Sequence, residues 1–299
     1  LVTDDWALLS APAIARARML YARRYAPKPD IVAQMQAQTD AEFVHSLRLA
    51  VGGGLTRAAL VLLGRPEATY ALGGPTPRIS WQLVDHRGDH VTHQHFELPL
   101  VLAIDALVGR VRIIDVNLLP PREVAPLNLP NYDDWVLREA LHNCVAHQDY
   151  AQGGRILVTE SPDTLRFFNY GEFLPGSVDK VLHAAQPEQR YRNACLANAM
   201  VELDLMETIN SGVKGMFRKQ RERFFPLPDY AIEGPPPSVS VTIYGRTLDE
   251  RYVGALMTHT HLSLDEAVLL DQIQKGRPLA AGQLQRLRAK GLVEGRSPK

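Results

Sequence analysis

Three polar side chains spaced by four residues carry the clearest chemical signal in this 299-residue sequence: Glu139, Asn143 and His147. Residues four apart stack on one side of an α-helix. A carboxylate one turn from a carboxamide suits a metal–nucleotide site. The Asn oxygen can ligate Mg²⁺, and the Glu can orient a water toward a phosphoryl group. The same spacing also occurs on solvated helices that do no chemistry. Apolar residues at 136, 137, 140, 141, 144 and 145 predict a helix over about 134–147. The polar trio then borders its buried face, where a cleft could form.

Other side chains invite chemistry more weakly. His86, His90, His93 and His95 fall within ten residues, and two of them share a strand face, which is ligand-like. No Cys or second motif supports a metal, and the segment reads as an exposed hairpin. Cys144 lies on the apolar stripe and reads as core rather than nucleophile. The run 214–223 has five positive charges against Glu222 and reads as a solvated helix face, with a DNA or phosphate contact as the alternative. Near the end, Leu284, Leu287, Gly291, Leu292 and Val293 follow the pattern of a last helix and wing entry of a winged helix. Arg286, Arg288 and Lys290 could there face DNA phosphates; the alternative is an ordinary helical cap with a basic face. The wing itself would lie beyond Lys299.

The elements that must position these residues are legible in outline. Residues up to about 25 suit a helix that Pro27 and Pro29 break, and Thr39 with Glu42 opens another with cap-like chemistry. Strands are expected at 79–84 and 91–96, a helix at 98–108, and a β-branched run at 111–116. Pro120, Pro121, Pro126 and Pro130 mark a connector, and a domain boundary is placed there. Beyond the signature helix come strands at 155–159 and 165–169, helices near 193–202 and 212–223, and a strand at 238–244. Residues 264–273, opened by Ser263 and Glu266, and 280–290 form two further helices, followed by a strand at Leu292.

The order of these motifs resembles the ATPase-like module at the C-terminal side of Schlafen-AlbA-type proteins, often labelled RecG-related helicases or transcriptional regulators. That module belongs to the Bergerat superfamily of gyrase, heat-shock chaperone and histidine kinase ATPases. The resemblance rests on Leu137 to Leu141 with Asn143, on His147 to Tyr150, and on Gly153-Gly154. It continues through Ser161 to Asp163, Asn169 to Gly171 with Leu174-Pro175, Arg192-Asn193 and Asn210 to Gly212; upstream, 55–64 and 96–100 also match. It implies Glu139 as general base and Asn143 as Mg²⁺ ligand. It further implies Asn169 with Gly171 at the adenine, and Gly212 with Gly215 near the phosphates of ATP. Glycines there let backbone amides approach phosphate. The sequence departs from the superfamily at three places: Asn169 replaces an Asp, Tyr170 and Glu172 replace small residues, and Asn210 replaces a Gly. These departures leave nucleotide binding and hydrolysis open.

Composition narrows the remaining classes. Thirty-three Lys plus Arg balance 33 Asp plus Glu, which excludes a polybasic protein that holds nucleic acid by bulk charge. No GxxxxGK[ST] occurs, so a P-loop helicase motor is excluded for these residues. Two cysteines exclude a disulfide scaffold and fit a reducing interior. No run is long enough to span a membrane. With Leu first and a polar run last, the chain reads as a cytoplasmic piece of a longer protein.

The fold expected is α/β (α+β): a linker subdomain over 1–118, a Bergerat-like ATPase sandwich over 119–260, and a partial winged helix over 261–299. The function expected is a DNA-associated transcriptional regulator with an ATP-binding or vestigial ATPase domain, using ATP and Mg²⁺ if active. The resemblance also implies a Schlafen-AlbA-type domain upstream. The alternative is a non-catalytic dimerisation scaffold, a homodimer presenting DNA-binding ends.

Overall fold

Capped, strongly apolar segments build the N-terminal half. The computed structural model describes residues 2–119, 125–184, 190–206 and 212–293. Helix α1 (Ala11–Arg24) begins at Ser10, whose hydroxyl accepts from the Ala13 amide, and buries Ala13, Ile14, Ala17 and Leu20. Helix α2 (Pro29–Ala37) starts on a proline, and α3 (Asp40–Ser46) opens with the Thr39–Glu42 capping box. A hairpin of β1 (Ala50–Val51) and β2 (Gly54–Leu55) follows, turned by Gly52 and Gly53 at positive φ. Helix α4 (Arg57–Leu63) buries every residue after Arg57. After α5 (Thr69–Leu72), β3 (Arg78–Val84) and β4 (His90–Phe96) form the expected hairpin, and α6 (Leu100–Val108) completes this half.

The proline-rich connector is not bare loop. There β5 (Asp115–Leu118) and β6 (Leu127–Pro130) pair antiparallel as a two-stranded ribbon. Of the β-branched run at 111–116, only the last two residues reach a strand. Pro120 and Pro121 lie outside the described residues. The second half contains α7 (Asp134–His147), β7 (Arg155–Glu160), β8 (Thr164–Tyr170), α8 (Val178–His183), α9 (Ala194–Glu202) and α10 (Gly212–Glu222). It ends with β9 (Asp229–Glu233), β10 (Ser238–Tyr244), α11 (Glu250–Thr258), α12 (Leu264–Gln274) and α13 (Ala281–Ala289).

One six-stranded sheet, in the order β4-β3-β7-β8-β10-β9, organises the molecule. All its neighbours are antiparallel except β3 and β7, which pair in parallel from Arg78 beside Arg155 to Leu83 beside Glu160. Alternation sets the faces: β7 buries Ile156, Val158 and Glu160 and leaves Leu157 and Thr159 only partly covered. Helices α6 and α7 pack on β3 and β8, giving a mixed α+β sandwich of ATPase-like type.

This sheet crosses the boundary placed at 118/119. Strands β3 and β4 were assigned to the linker subdomain, yet they extend the same sheet as β7–β10. A single buried cluster runs from Leu9 to Ile243 and includes Trp81, Phe43 and Phe167. Pairing between β3 and β7 spans the proline connector, which is why local sequence punctuation suggested a break. Gly154 permits the junction: a Cβ there would fall 2.0 Å from the Thr76 carbonyl oxygen.

A second cluster forms the C-terminal unit. Tyr252 and Leu256 of α11 pack with Ala267, Leu269 and Leu270 of α12 and Leu287 of α13. Helix α11, which precedes residue 261, thus shares its buried face with α12 and α13. Residues Gly291 to Val293 form a turn instead of the strand expected at Leu292, with Gly291 at φ 68 after α13. Arg296 and Lys299 lie outside the described residues. No helix among the described residues is long and apolar enough to cross a membrane.

Candidate functional site

Helix α7 positions the central residues. The Asp133 carboxylate caps its N-terminus by accepting from the Val136 amide at 3.1 Å. Val136, Leu137, Ala140, Leu141, Cys144 and Val145 are buried, which fixes the helix roll against the sheet. That roll turns Glu139, Asn143 and His147 into a cleft of about 170 Å³. Its floor is Phe167 and Asn169 of β8 with Val239 and Val241 of β10. Gly212, Val213 and Lys214 of α10 form one wall, and Glu172 to Pro175 close another side.

Glu139 and Asn143 touch. Asn143 Nδ2 donates to Glu139 Oε1 at 3.0 Å, and Glu139 is only 5% exposed. With its amide nitrogen turned to the carboxylate, Asn143 keeps Oδ1 as a separate acceptor. Gly212 brings the N-terminus of α10 beside the pair: a Cβ there would lie 3.6 Å from Glu139 Oε1. Asn169 is likewise 5% exposed, and its Nδ2 donates to the Tyr170 carbonyl at 3.0 Å. Its Oδ1 is left as an acceptor at the edge of an apolar floor.

Burial sets the protonation of the surrounding groups. His147 is pushed down to about 4, by burial first and then by the Arg192 charge, so it lines the cleft as a neutral ring. Its ring packs 5.7 Å from that of Tyr191. Burial raises the Cys144 thiol to about 12, which removes it as a thiolate nucleophile. Tyr230 is raised well above its ordinary value by burial, then by Glu139 and Cys144.

The glycines named from sequence separate. Gly212 lines the cleft, whereas Gly215 is buried against Trp135, where a Cβ would meet Cη2 at 2.6 Å. Gly215 thus serves helix packing and is not among the residues that line the cleft. Gly171 has φ 128, and a Cβ there would press on the His147 carbonyl oxygen at 2.8 Å and Arg192 Nε at 2.9 Å. It allows the strand end to pass close under α7, behind the cleft lining. Asn210 lies outside the described residues. Gln148 holds the same corner: it is fully buried and its side chain accepts from the Tyr170 amide at 3.0 Å and donates to the Gly153 carbonyl. Lys214, read from sequence as part of a solvated face with a DNA or phosphate contact as the alternative, lines the cleft.

The C-terminal basic residues are engaged within the protein. Glu266, 2% exposed, forms ion pairs with Lys290 and with Arg286 (3.7 Å). Both cations thereby fasten α13 to the start of α12. The four histidines stand on the β3–β4 hairpin, where His93 Nδ1 is 3.2 Å from His90 Nε2 and His95 Nδ1 is 2.9 Å from Ser80 Oγ. Among the described residues no group of three or more His, Cys, Asp or Glu side chains is placed to hold a metal ion.

The part of the chain that carries β7 to β10 and most of the cleft is similar to a RecG-related ATPase-like module. Residues 153–243 match the family described as "Putative ATP-dependent DNA helicase recG C-terminal". The fold is similar to the crystal structure of the DIP2311 protein from Corynebacterium diphtheriae, with a TM-score of 0.63 at 17% identity. That likeness covers 97% of this chain and 49% of the other, so the chain spans about half the length of that protein. No curated protein matches the chain.

Proposed function

We propose that the cleft binds ATP with Mg²⁺ and that the chain is the ATPase-like part of a DNA-associated transcriptional regulator. The observation that carries this reading is the Glu139–Asn143 pair, with the buried Glu139 beside the N-terminus of α10 and both residues lining a cleft that also holds Asn169. The residues fit the ligand: an apolar slot suits a flat base, and Asn169 Oδ1 can accept from its amino group. Asn143 Oδ1 would take one place among the oxygens around Mg²⁺, and Glu139 would orient a water. Bound Mg-ATP supplies the phosphoryl group that this water attacks.

Calorimetry tests the reading directly. Wild-type protein should release heat with Mg-ATP, and Asn143→Ala should abolish it. Absence of wild-type heat at millimolar nucleotide discards the proposal. Glu172 in the same cleft favours a second reading, a non-catalytic homodimeric scaffold, because its charge opposes phosphate. Binding without turnover, together with a dimer mass by light scattering, would select it.

For DNA, the supporting feature is the three-helix unit α11–α13, with Arg286, Arg288 and Lys290 on its last helix. Because Glu266 already holds two of these cations, DNA phosphates must compete with that carboxylate. Anisotropy with duplex DNA over a salt series should show weaker binding in Arg288→Ala and a shallower salt slope. Equal affinity in wild type and variant would remove Arg288 from the interface.

A further inference from the structure

Lys214 stands apart from the other cations of its helix. Lys219 reaches Asp133 at 3.9 Å and lies over the Trp135 ring. Arg221 donates to the Leu262 carbonyl at 3.1 Å, and Arg223 donates to Gln220 Oε1 at 3.1 Å and to the Pro130 carbonyl. Arg218 is exposed to water. Lys214 is half-buried, lines the cleft, and forms no salt bridge among the described residues. Its charge is felt by His183, which pairs with Asp179 (3.3 Å) and Asp265 (3.4 Å).

A lysine at the lining of a cleft, with no salt bridge among the described residues, is free to meet an anionic ligand there. The first turn of α10 adds the positive end of its helix dipole at Gly212, on the same wall. Opposite stand two carboxylates, Glu139 and Glu172. A polyphosphate therefore needs a cation on this wall, and Lys214 lines the cleft there, two residues after Gly212, whose Cβ position lies 3.6 Å from Glu139 Oε1. We propose that Lys214 holds the terminal phosphates of a nucleoside triphosphate and sets the preference for triphosphate over the unphosphorylated nucleoside. This rests on the nucleotide reading of the cleft. A charge-assisted hydrogen bond is worth about 1.5–3 kcal/mol, which corresponds to roughly 10- to 100-fold in affinity.

The test is calorimetric titration of the whole chain, as wild type, Lys214→Met and Lys214→Arg, with Mg-ATP, adenosine and magnesium tripolyphosphate. Lys214→Met should weaken Mg-ATP at least about tenfold, abolish tripolyphosphate binding and leave adenosine affinity unchanged, with Lys214→Arg retaining most of the ATP affinity. The unchanged adenosine affinity also reports that the Met variant is folded. Wild-type ATP affinity in Lys214→Met overturns the role of Lys214 and leaves the nucleotide reading standing. If wild type binds tripolyphosphate through Lys214 but neither ATP nor adenosine, the anion role survives and the nucleotide reading falls. If wild type binds none of the three, both fall.

Discussion

His142, one residue before Asn143 on α7, makes the site's supporting helix sensitive to acid. It is 3% exposed, and its Nε2 has no hydrogen-bond partner. Burial first, and then the Arg138 charge, pushes it from 6.5 down to about 3. The unfolded chain therefore takes up a proton near pH 6.5 that the folded chain refuses until about pH 3. Between those values the unfolded state binds more protons, so stability rises with pH and falls on acidification. Each pH unit within the window changes stability by about 1.4 kcal/mol, so roughly 2 kcal/mol is lost at pH 5 relative to neutral pH. Against a typical total of about 5–15 kcal/mol this is a substantial fraction. His147, depressed to about 4, acts in the same direction over a narrower window. The assay is urea denaturation of wild type and His142→Asn at pH 7.5 and 5. The Asn variant will carry a constant offset from altered packing, so the readout is the change in the stability difference with pH. The variant should lose about 2 kcal/mol less than wild type on acidification. A difference that stays flat between the two pH values refutes the assignment of a buried neutral imidazole at 142.

Two further perturbations probe how the site is held. Gly154→Ala should destabilise by several kcal/mol, about 3 or more, because its methyl would overlap the Thr76 backbone at the β3–β7 junction, read as a lowered denaturation midpoint. Lys275 is 4% exposed and pairs with Asp271 (2.6 Å) and Asp229 (3.1 Å), tying α12 to the strand that carries Tyr230. Lys275→Met removes the cation from the buried Asp271, while Asp229 keeps Arg277 at 2.8 Å, and should cost about 3 kcal/mol by urea denaturation, with part recovered in the double variant Lys275→Met, Asp271→Asn.

Local chemistry was legible where a contiguous segment decides the outcome. The 3.6-residue stripe marks α7 within a residue at each end, and the capping boxes at Thr39 and Ser263 appear where their spacing predicts. The β3–β4 hairpin and β7–β8 pair follow from alternation and a short turn. The edge strand β9 is weakly marked in sequence, since Asp229 to Glu233 is short, has only Tyr230 and Ile232 as large apolar residues, and is fixed as a strand by pairing with β10. The connector between 117 and 132 shows a related limit: proline density reports local chain stiffness and says nothing about the parallel pairing of β3 with β7 across it. Gly215 and Lys214, neighbours in one basic run, show the same limit. Their sequence context is shared, yet one packs on Trp135 and the other lines the cleft.

By itself the sequence determined which residues share the face of α7, which helix ends are capped, and that Glu139 and Asn143 fall within reach of each other. Those properties depend on φ/ψ preference and on side chains at most four residues apart. Only the tertiary structure decided that Gly212 arrives beside Glu139, that Asn169 closes the floor, and that Glu266 engages Arg286 and Lys290. Each of these joins segments distant in the chain. Their approach is set by the summed burial of one core running from Leu9 to Ile243, which no single segment specifies.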